Sequence, residues 1–209
     1  MSRDEILEPG LRERLARQRE QEWRKTLRQA VPARNRLEIP RHKMPEQPPD
    51  QRAGNFLEVN LGYSLDIARE EAQRCLDCGD PGCVSGCPVA IDIPTFIKYI
   101  EAGEIDLALA TIRETNGLPA ICGRVCPQEV QCEKHCNLIK ARKESVAIGH
   151  LERFAADYVR RHDQAVTESA CGPATGEKIA IIGSGPAGLT AAADLARLGY
   201  QVTIFEGLH

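Results

Sequence analysis

The sequence predicts a mainly α-helical protein that leads into the start of an α/β domain. Between residues 57 and 162 the apolar residues recur at helical spacing, and no stretch shows the alternation typical of strands. Two groups of four cysteines interrupt this helical region. After residue 177 a short β-branched strand, a glycine-rich turn, a helix and a second strand follow in order. The helical region and the α/β segment are therefore predicted to be separate domains.

The N-terminal part is predicted to be a charged helix followed by an extended arm. Residues 4–31 have few apolar positions among many charged ones, which favours a solvated helix that leans on another part of the protein. Residues 32–54 hold five prolines and few apolar side chains, a composition typical of an extended arm or linker.

Four further helices are predicted between residues 57 and 162. The clearest one follows Asp92, because Pro94 lies in its first turn and Gly103 comes directly after its end. The other three are predicted at about 65–74, over the stretch "EIDLALATIRETNG", and at 143–161.

Composition excludes several classes of function. The chain has 209 residues, a formal net charge of −3 and 4% aromatic residues. Such a chain has no broad basic field and few stacking platforms, so nucleic acid is not an expected partner. The N-terminus lacks the apolar core of a signal peptide, and no run approaches the ~18 apolar residues of a membrane helix. We therefore expect a cytoplasmic protein with no membrane partner, whose clustered thiols are more typical of metal ligands than of disulfides.

The two cysteine groups have the spacing of iron–sulfur ligands. The first reads C-x2-C-x4-C-x3-C-P and the second C-x3-C-P-x4-C-x3-C. Each contains a Cys-Pro pair, and in two-cluster ferredoxins the cysteine of such a pair binds the other cluster. Eight cysteines in this pattern are consistent with two [4Fe–4S] clusters that have crossed ligands. These cysteines are Cys75, Cys78, Cys83, Cys87, Cys122, Cys126, Cys132 and Cys136.

Thiolate chemistry explains the choice of residues, and two alternatives stay open. Iron in such clusters is bound by deprotonated thiolates, which are soft ligands. Gly79, Gly82, Gly86 and Gly123 are expected to let the backbone turn tightly and bring N–H groups near the sulfurs. A zinc site would favour paired C-x2-C motifs, and only the first two cysteines have that spacing. A disulfide framework is the remaining interpretation, which a reducing compartment disfavours.

The C-terminal segment carries a dinucleotide-binding fingerprint. "KIAIIGSGPAG" places Gly183, Gly185 and Gly188 between a predicted strand and a predicted helix, and Glu206 ends the next strand. These glycines would permit the tight turn, the approach of a pyrophosphate and close packing of the helix on the strand. The helix N-terminus would stabilise phosphate charge, and Glu206 would accept hydrogen bonds from ribose hydroxyls. Because two strands cannot form a multi-stranded parallel sheet, we expect the chain to be part of a longer one. The alternative is that a second subunit completes the sheet.

Four stretches together resemble the small (β) subunit family of NADPH-dependent glutamate synthase. They are "EVNLGYSLDIAREEAQRCLDCGDPGCVSGCPVAIDIPTFI", "GLPAICGRVCPQEVQCEKHCNL", "AIGHLERFAAD" and "KIAIIGSGPAGLTAAADLARLGYQVTIFE". They are also similar to the large subunit of NADH-dependent ferredoxin:NADP oxidoreductase and to the N-terminal part of dihydropyrimidine dehydrogenase. The resemblance covers about residues 55–209. It implies an alpha-helical ferredoxin-like two-cluster domain, followed by the first β-α-β unit of an incomplete Rossmann-type FAD-binding domain.

The resemblance also implies a ligand set that differs from the eight cysteines. The fourth ligand of the second cluster would be a carboxylate, Glu152 in "GHLERF", and Cys122 would stay unligated. A carboxylate is a harder donor than a thiolate and would shift the potential of that cluster. The first cluster would be held by Cys75, Cys78, Cys83 and Cys136, and the second by Cys87, Cys126, Cys132 and Glu152.

In this family the first nucleotide motif binds FAD, and a later one, absent from this chain, binds NADPH. The residues that would serve FAD are Gly183, Ser184, Gly185, Pro186, Ala187, Gly188 and Glu206. No catalytic acid, base or nucleophile is expected, because the chemistry belongs to the cofactors.

The resemblance implies an electron-transfer module of an NAD(P)H-dependent oxidoreductase. Electrons would pass from NADPH to FAD and then through two [4Fe–4S] clusters to a partner, either the large glutamate synthase subunit or another electron-accepting redox subunit. The chain alone is not expected to oxidise NADPH. A rival hypothesis is a zinc-stabilised helical module without enzymatic activity, whose charged N-terminal arm docks a partner.

Four domains follow from these predictions. They are a charged helix and proline-rich arm at 1–54, a helical domain with two clusters at 55–162, a linker at 163–177, and the start of the FAD-binding domain at 178–209.

Overall fold

The computed structural model describes residues 10–162 and 171–208. The chain divides into two compact units, Met1–His162 and Asp163–His209. The described part of the first unit is helical. Its α-helices are α1 (Leu11–Arg19), α2 (Glu22–Ala30), α3 (Ala33–Arg36), α4 (Pro49–Arg52), α5 (Leu65–Gln73), α6 (Gly82–Ser85), α7 (Ile93–Ala102), α8 (Ile105–Arg113), α9 (Pro119–Val125) and α10 (Ile148–Arg161). Three 3-10 helices lie at Gln128–Val130, Glu133–His135 and Asn137–Ala141.

Helix α7 supplies the centre of the hydrophobic core. Ile93, Phe96, Ile97 and Ile100 are each at most 1% exposed. Helices α5, α8 and α10 pack against α7, and α9 lies against α10. Burying a side chain of this size stabilises the fold by about 1.5–3 kcal/mol, so the four residues of α7 together are a major part of the stability.

Both ends of α7 are as the sequence predicts. The Asp92 side chain accepts a hydrogen bond from the backbone N–H of Thr95 at 3.2 Å, which caps the first turn. Gly103 ends the helix with φ of 89°, in the left-handed region that glycine adopts without strain. The predicted helices at 65–74 and across "EIDLALATIRETNG" are also present, as α5 and α8.

The N-terminal segment differs from the predicted single solvated helix. It forms two helices, α1 and α2, with Gln21 in extended backbone between them. Leu11 and Leu15 are buried in the core, and Arg24 is only 1% exposed. The many charged residues of this segment predicted a solvated helix, but some of these side chains are buried in ion pairs. Residues 4–9 of the predicted helix lie outside the described residues.

The proline-rich segment at 32–54 is also more ordered than an extended arm. It contains α3 and α4, and Glu46 forms an isolated antiparallel bridge with Asn60. Arg36 in α3 is 2% exposed and forms two hydrogen bonds with the carboxylate of Glu101, at 2.8 and 3.0 Å. The described residues before position 55 therefore pack onto the helical unit that follows them.

The last helix of this unit begins later than predicted, at Ile148 rather than near residue 143. The preceding backbone makes other hydrogen bonds. Arg74 donates to the backbone oxygens of Glu144 and Ser145, both at 2.7 Å. The N–H of Ala147 donates to Glu71 at 2.8 Å. Long-range partners thus replace the helical hydrogen bonds that the sequence pattern suggested.

The second unit is a strand–helix–strand unit, as predicted. Strand β1 (Lys178–Ile182), helix α11 (Pro186–Arg197) and strand β2 (Gln201–Phe205) follow in order. The strands are parallel, with Lys178 opposite Gln201 and Ile182 opposite Phe205. Ile182 and Phe205 are 82% and 54% exposed, because two strands and one helix cannot cover both faces of a sheet. In the part of the chain that the structure describes, no helix is long and apolar enough to cross a membrane.

Replacing Gly103 with alanine should destabilise the first unit by about 1–2 kcal/mol, because an L-residue is strained in left-handed backbone. An added Cβ would contact nothing within 4 Å, so the cost would come from the backbone alone. Urea unfolding followed by far-ultraviolet circular dichroism measures it.

The matched control is Gly117→Ala, since this glycine also has open space around it but no left-handed φ. That variant should be neutral or slightly stabilised. Equal unfolding midpoints for the two variants would contradict the assigned role of Gly103.

Candidate metal centres and nucleotide site

Four thiols from two separate parts of the chain line one cavity. Cys75 and Cys78 come from the loop before α6, Cys83 lies in α6 itself, and Cys136 directly precedes the 3-10 helix at Asn137–Ala141. Apolar side chains of α7 and of the chain that leads into α10 complete the lining, including Ile97 and Val146. This is the crossed set of four thiols that the resemblance implies, and the cavity is the first candidate centre.

Burial makes three of these thiols, Cys75, Cys83 and Cys136, poor acids. Desolvation raises the pKa of Cys75 to about 12, although the nearby Lys98 opposes the shift. Desolvation also raises the pKa of Cys83 well above its ordinary value, with the other thiols contributing. The pKa of Cys136 is raised as well, again mainly by burial. The thiolates would therefore need a bound cationic group to stabilise them, which is what a metal ligand site provides.

The remaining predicted ligands form the second candidate centre. Burial raises the pKa of the thiols of Cys87, Cys126 and Cys132. The negative charge of Glu152 is a smaller cause that raises the pKa of each of them further. Glu152 is 6% exposed, and burial raises its own pKa to about 7. Three thiols and one carboxylate thus lie close enough to influence one another inside the protein.

Asn116 is a residue of this centre that sequence reasoning missed. Its side-chain amide donates to Oε1 of Glu152 at 2.7 Å, and its carbonyl oxygen accepts from the backbone N–H of Leu118 at 2.9 Å. The thiol of Cys122 also contacts that oxygen, at 3.5 Å. A weak sequence signal existed, because the "TNG" turn directly precedes the second cysteine group.

Gly123 brings α9 against α10. A Cβ at this position would lie 2.6 Å from the backbone nitrogen of Arg153, so only glycine allows the helices to approach this closely. The contact places Cys122 and Cys126 beside Glu152.

Close packing explains two of the glycines in the cysteine groups, Gly86 and Gly123, whereas a Cβ on Gly79 would have nothing within 4 Å. Gly79, Gly82, Gly86 and Gly123 all lack a positive φ. A Cβ on Gly86 would overlap the His135 ring. None of the four therefore uses the left-handed backbone that glycine allows. Left-handed backbone in the first group belongs to Asp77 and Ala90, with φ of 53° and 50°.

All nine cysteines are free thiols. Within residues 10–162 and 171–208, no three His, Cys, Asp or Glu side chains are arranged to hold a single metal ion. The donor chemistry of both centres suits an iron–sulfur group: four soft thiols in one, three thiols with a carboxylate in the other.

The nucleotide fingerprint has the local geometry that its glycines predict. Gly183 has a φ of 96°, and a Cβ on Gly188 would overlap the Gly183 carbonyl oxygen. Helix α11 begins directly after Gly185, with Pro186 and Ala187 in its first turn. The N-terminus of α11 therefore follows the turn closely, as a phosphate site requires.

Glu206 contacts the same turn. Its carboxylate accepts hydrogen bonds from the backbone N–H and the hydroxyl of Ser184, at 2.8 and 2.7 Å. These hydrogen bonds lower the pKa of Glu206 to about 2. A ribose hydroxyl would compete with Ser184 for this carboxylate.

Two family models match the chain. Residues 52–164 match dihydropyrimidine dehydrogenase domain II, 4Fe-4S cluster. Residues 181–209 match the NAD(P)-binding Rossmann-like domain. The two matched regions correspond to the thiol-bearing helices and to the fingerprint.

Several characterised relatives are similar over most of this chain. The glutamate synthase [NADPH] small chain of Escherichia coli is 37% identical over 81% of this chain and 36% of its own length. The putative oxidoreductase AegA of the same organism is 37% identical over 92% of this chain and 30% of its own length. The PreT subunit of its NAD-dependent dihydropyrimidine dehydrogenase is 40% identical over 73% of this chain and 36% of its own length.

The chain spans about a third of the length of these curated relatives. Their names and the matched domains confirm the resemblance seen in the sequence. The chain belongs to the family of dihydropyrimidine dehydrogenase domain II, a 4Fe–4S cluster domain found here beside an NAD(P)-binding Rossmann-like segment.

Proposed function

We propose that this chain is the electron-transfer module of a flavin and iron–sulfur oxidoreductase, with two [4Fe–4S] centres in the helical unit. One observation carries the proposal. Cys136 lies more than fifty positions after Cys83, yet the two thiols line the same cavity with Cys75 and Cys78. Crossed ligation of this kind is the arrangement of two-cluster ferredoxins.

The proposed ligands of the second centre are three thiols and one carboxylate. Support for Glu152 comes from its burial and from its proximity to all three thiols, whereas Cys122 affects the pKa of Cys126 but is not a cause of the shifts at Cys87 and Cys132. The amide of Asn116 holds one carboxylate oxygen of Glu152, while the thiol of Cys122 contacts the carbonyl oxygen of the same amide. We assign Cys87, Cys126, Cys132 and Glu152 to this centre.

The protein's own residues would set the solvent access and the local polarity of these centres. Apolar side chains such as Ile93, Ile97 and Leu138 exclude water from the first one. Burial of the thiols makes their ionisation depend on the bound group, and nearby amide and charged groups adjust the local polarity. Once bound, the clusters would supply one-electron transfer.

The strand–helix–strand unit is proposed as the start of an FAD site. The glycine turn, the N-terminus of α11 and the carboxylate of Glu206 are the groups that would contact the dinucleotide. The proposed ligand-contacting residues are Gly183, Ser184, Gly185, Pro186, Ala187, Gly188 and Glu206.

In the complete protein, NADPH would be the electron donor and a redox subunit the acceptor. The name of a similar relative, glutamate synthase small chain, favours a large glutamate synthase subunit as that partner. The PreT relative favours an alternative, a dihydropyrimidine dehydrogenase subunit, and an NADH-dependent ferredoxin:NADP oxidoreductase is a further one. We propose the domain division 1–54, 55–162, 163–177 and 178–209, with the first segment packed onto the second.

The proposal is tested by the metal content of the chain after anaerobic purification. We expect about eight iron and eight acid-labile sulfide per chain, because two [4Fe–4S] clusters contain these amounts. Zinc is measured alongside. Zinc at one or two per chain without sulfide, retained after reconstitution with iron and sulfide, would instead support the zinc-stabilised docking module.

The second centre should depend on Glu152 and not on Cys122. Glu152→Ala removes a proposed ligand, so about four of the eight iron should be lost or the electron paramagnetic resonance spectrum of that cluster should change. Cys122→Ala should leave iron content and spectrum unchanged. The reverse pattern would assign the fourth position to Cys122 and return the ligand set to eight cysteines.

Close packing of α9 on α10 should also be required for the second centre. Gly123→Ala introduces a Cβ that would lie 2.6 Å from the Arg153 nitrogen, so the helices must separate and the second set of ligands should lose iron. Gly79→Ala is the control, since a Cβ there has nothing within 4 Å. A Gly123→Ala variant with full iron content would show that this approach is not needed.

A further inference from the structure

The loop from Cys75 to Cys78 contains a buried carboxylate, Asp77, which is not among the proposed cluster ligands. Asp77 is fully buried, and its φ of 53° is left-handed. Left-handed backbone is strained for a residue other than glycine, although aspartate is among the residues that adopt it most often. A buried charge also carries a desolvation cost unless it is paired. The surrounding structure must therefore stabilise this loop strongly.

Three arginines of the N-terminal helices, Arg19, Arg24 and Arg28, supply that stabilisation. Together with Asp77 they form a cluster that we call the Asp77 clasp. Arg24 forms a buried ion pair with the Asp77 carboxylate. Arg28 pairs with its other oxygen at 2.5 Å. Arg19 donates from Nε to the Asp77 backbone oxygen at 2.8 Å. Both the side chain and the backbone of Asp77 are thus held from α1 and α2.

The clasp is joined to α7 as well. Nη1 of Arg24 donates to the hydroxyl of Thr95 at 2.7 Å. Lys98, which also belongs to α7, donates from Nζ to the backbone oxygen of Cys75 at 2.7 Å. Cys75 lies two residues before Asp77 in the loop. Lys98 is completely buried and pairs with Glu101. Cationic donors therefore hold the carbonyl groups on both sides of the loop's first turn.

Attachment of the N-terminal helices alone does not require this arrangement. Leu11 and Leu15 are already buried in the core. Trp23 stacks on Tyr99, with ring centroids 4.6 Å apart. Apolar contacts already attach the N-terminal helices to the core. A fully buried aspartate in left-handed backbone, which carries a desolvation cost, is therefore not needed for that attachment.

We propose that the Asp77 clasp positions the Cys75–Cys78 loop, so that charged contacts from the N-terminal helices determine whether the first set of thiols takes up its cluster. Asp77 and its arginines are positioning residues that act through Cys75 and Cys78. The inference rests on the proposed function, because it presupposes iron–sulfur clusters at the two centres.

The test compares clasp variants with a core variant in the anaerobically purified chain. The clasp variants are Asp77→Ala, Asp77→Asn, Arg24→Gln and Arg24→Lys. The control is Leu109→Ala in α8, a buried residue outside the lining of the first thiol cavity, whose truncation lowers stability without altering charge. Iron and sulfide content, the spectrum and reduction potential of the reduced clusters, and the melting temperature are measured for each.

Asp77→Ala and Arg24→Gln should lower iron from about eight to about four per chain, because one cluster holds four. Arg24→Lys keeps the positive charge and should restore most of the iron. Asp77→Asn keeps a hydrogen-bond acceptor and should retain the cluster with a changed potential. Leu109→Ala should melt earlier but keep both clusters. When Asp77→Ala is combined with Cys83→Ser, which removes a first-centre ligand, iron should stay at the level of Cys83→Ser alone.

Two results would overturn the clasp. One is full iron with an unchanged spectrum and potential in Asp77→Ala and Arg24→Gln. The other is loss of both clusters in step with the melting temperature across all variants, including Leu109→Ala, which would make the clasp purely structural. Absence of iron and sulfide from the unsubstituted chain is a separate outcome, because it would contradict the proposed function itself.

Discussion

Helix α7 is buried along nearly its whole length, and the remaining elements of the first unit are arranged around it. Its apolar residues face the core, and its polar residues Thr95, Lys98 and Glu101 are also less than 5% exposed. A buried polar group must find partners inside the protein. Lys98 and Glu101 pair with each other and Thr95 accepts from Arg24, so the burial of this helix draws cationic side chains toward the first thiol loop.

The two candidate centres consequently have different electrostatic surroundings. Lys98 lowers the pKa of Cys75 and Arg74 lowers that of Cys136, in opposition to burial. At the second centre the charged neighbour is a carboxylate, Glu152, which raises the pKa of each thiol. Local charge and hydrogen bonding are main determinants of cluster potential. Burial raises the pKa of thiols at both centres, and the centres differ in the charged side chains that lie next to those thiols.

Local patterns predicted the parts of the structure that local chemistry determines. Asp92, Pro94 and Gly103 mark the ends of α7, and the fingerprint glycines have the expected strand–turn–helix geometry. The sequence pattern failed where long-range contacts replace local ones. The segment before Ile148 is not helical because Arg74 and Glu71 take its hydrogen bonds. The charged N-terminal segment is only partly solvated, because Arg24 and Arg28 pair with Asp77 far along the chain.

The residues of the candidate site also divide into those that local sequence patterns identify and those that only long-range contacts define. Spacing identified the thiols, but only the resemblance singled out Glu152, and neither pointed to Asn116 or Asp77. These polar residues are defined by partners 36 and 53 positions away, a separation that no periodic pattern records.

Two of the buried carboxylates, Asp77 and Glu152, have hydrogen-bond partners of different charge. Asp77 is compensated by two arginines, so its negative charge is already balanced within the protein. Glu152 instead accepts a hydrogen bond from the neutral amide of Asn116, and burial raises its pKa to about 7. A buried carboxylate beside three thiols, with a neutral hydrogen-bond partner, is stabilised in its charged form when a cationic group binds. The physical difference lies in the charge of the partner: arginines balance the charge of Asp77, whereas the partner of Glu152 is neutral, which supports the proposal that Glu152 is the ligand.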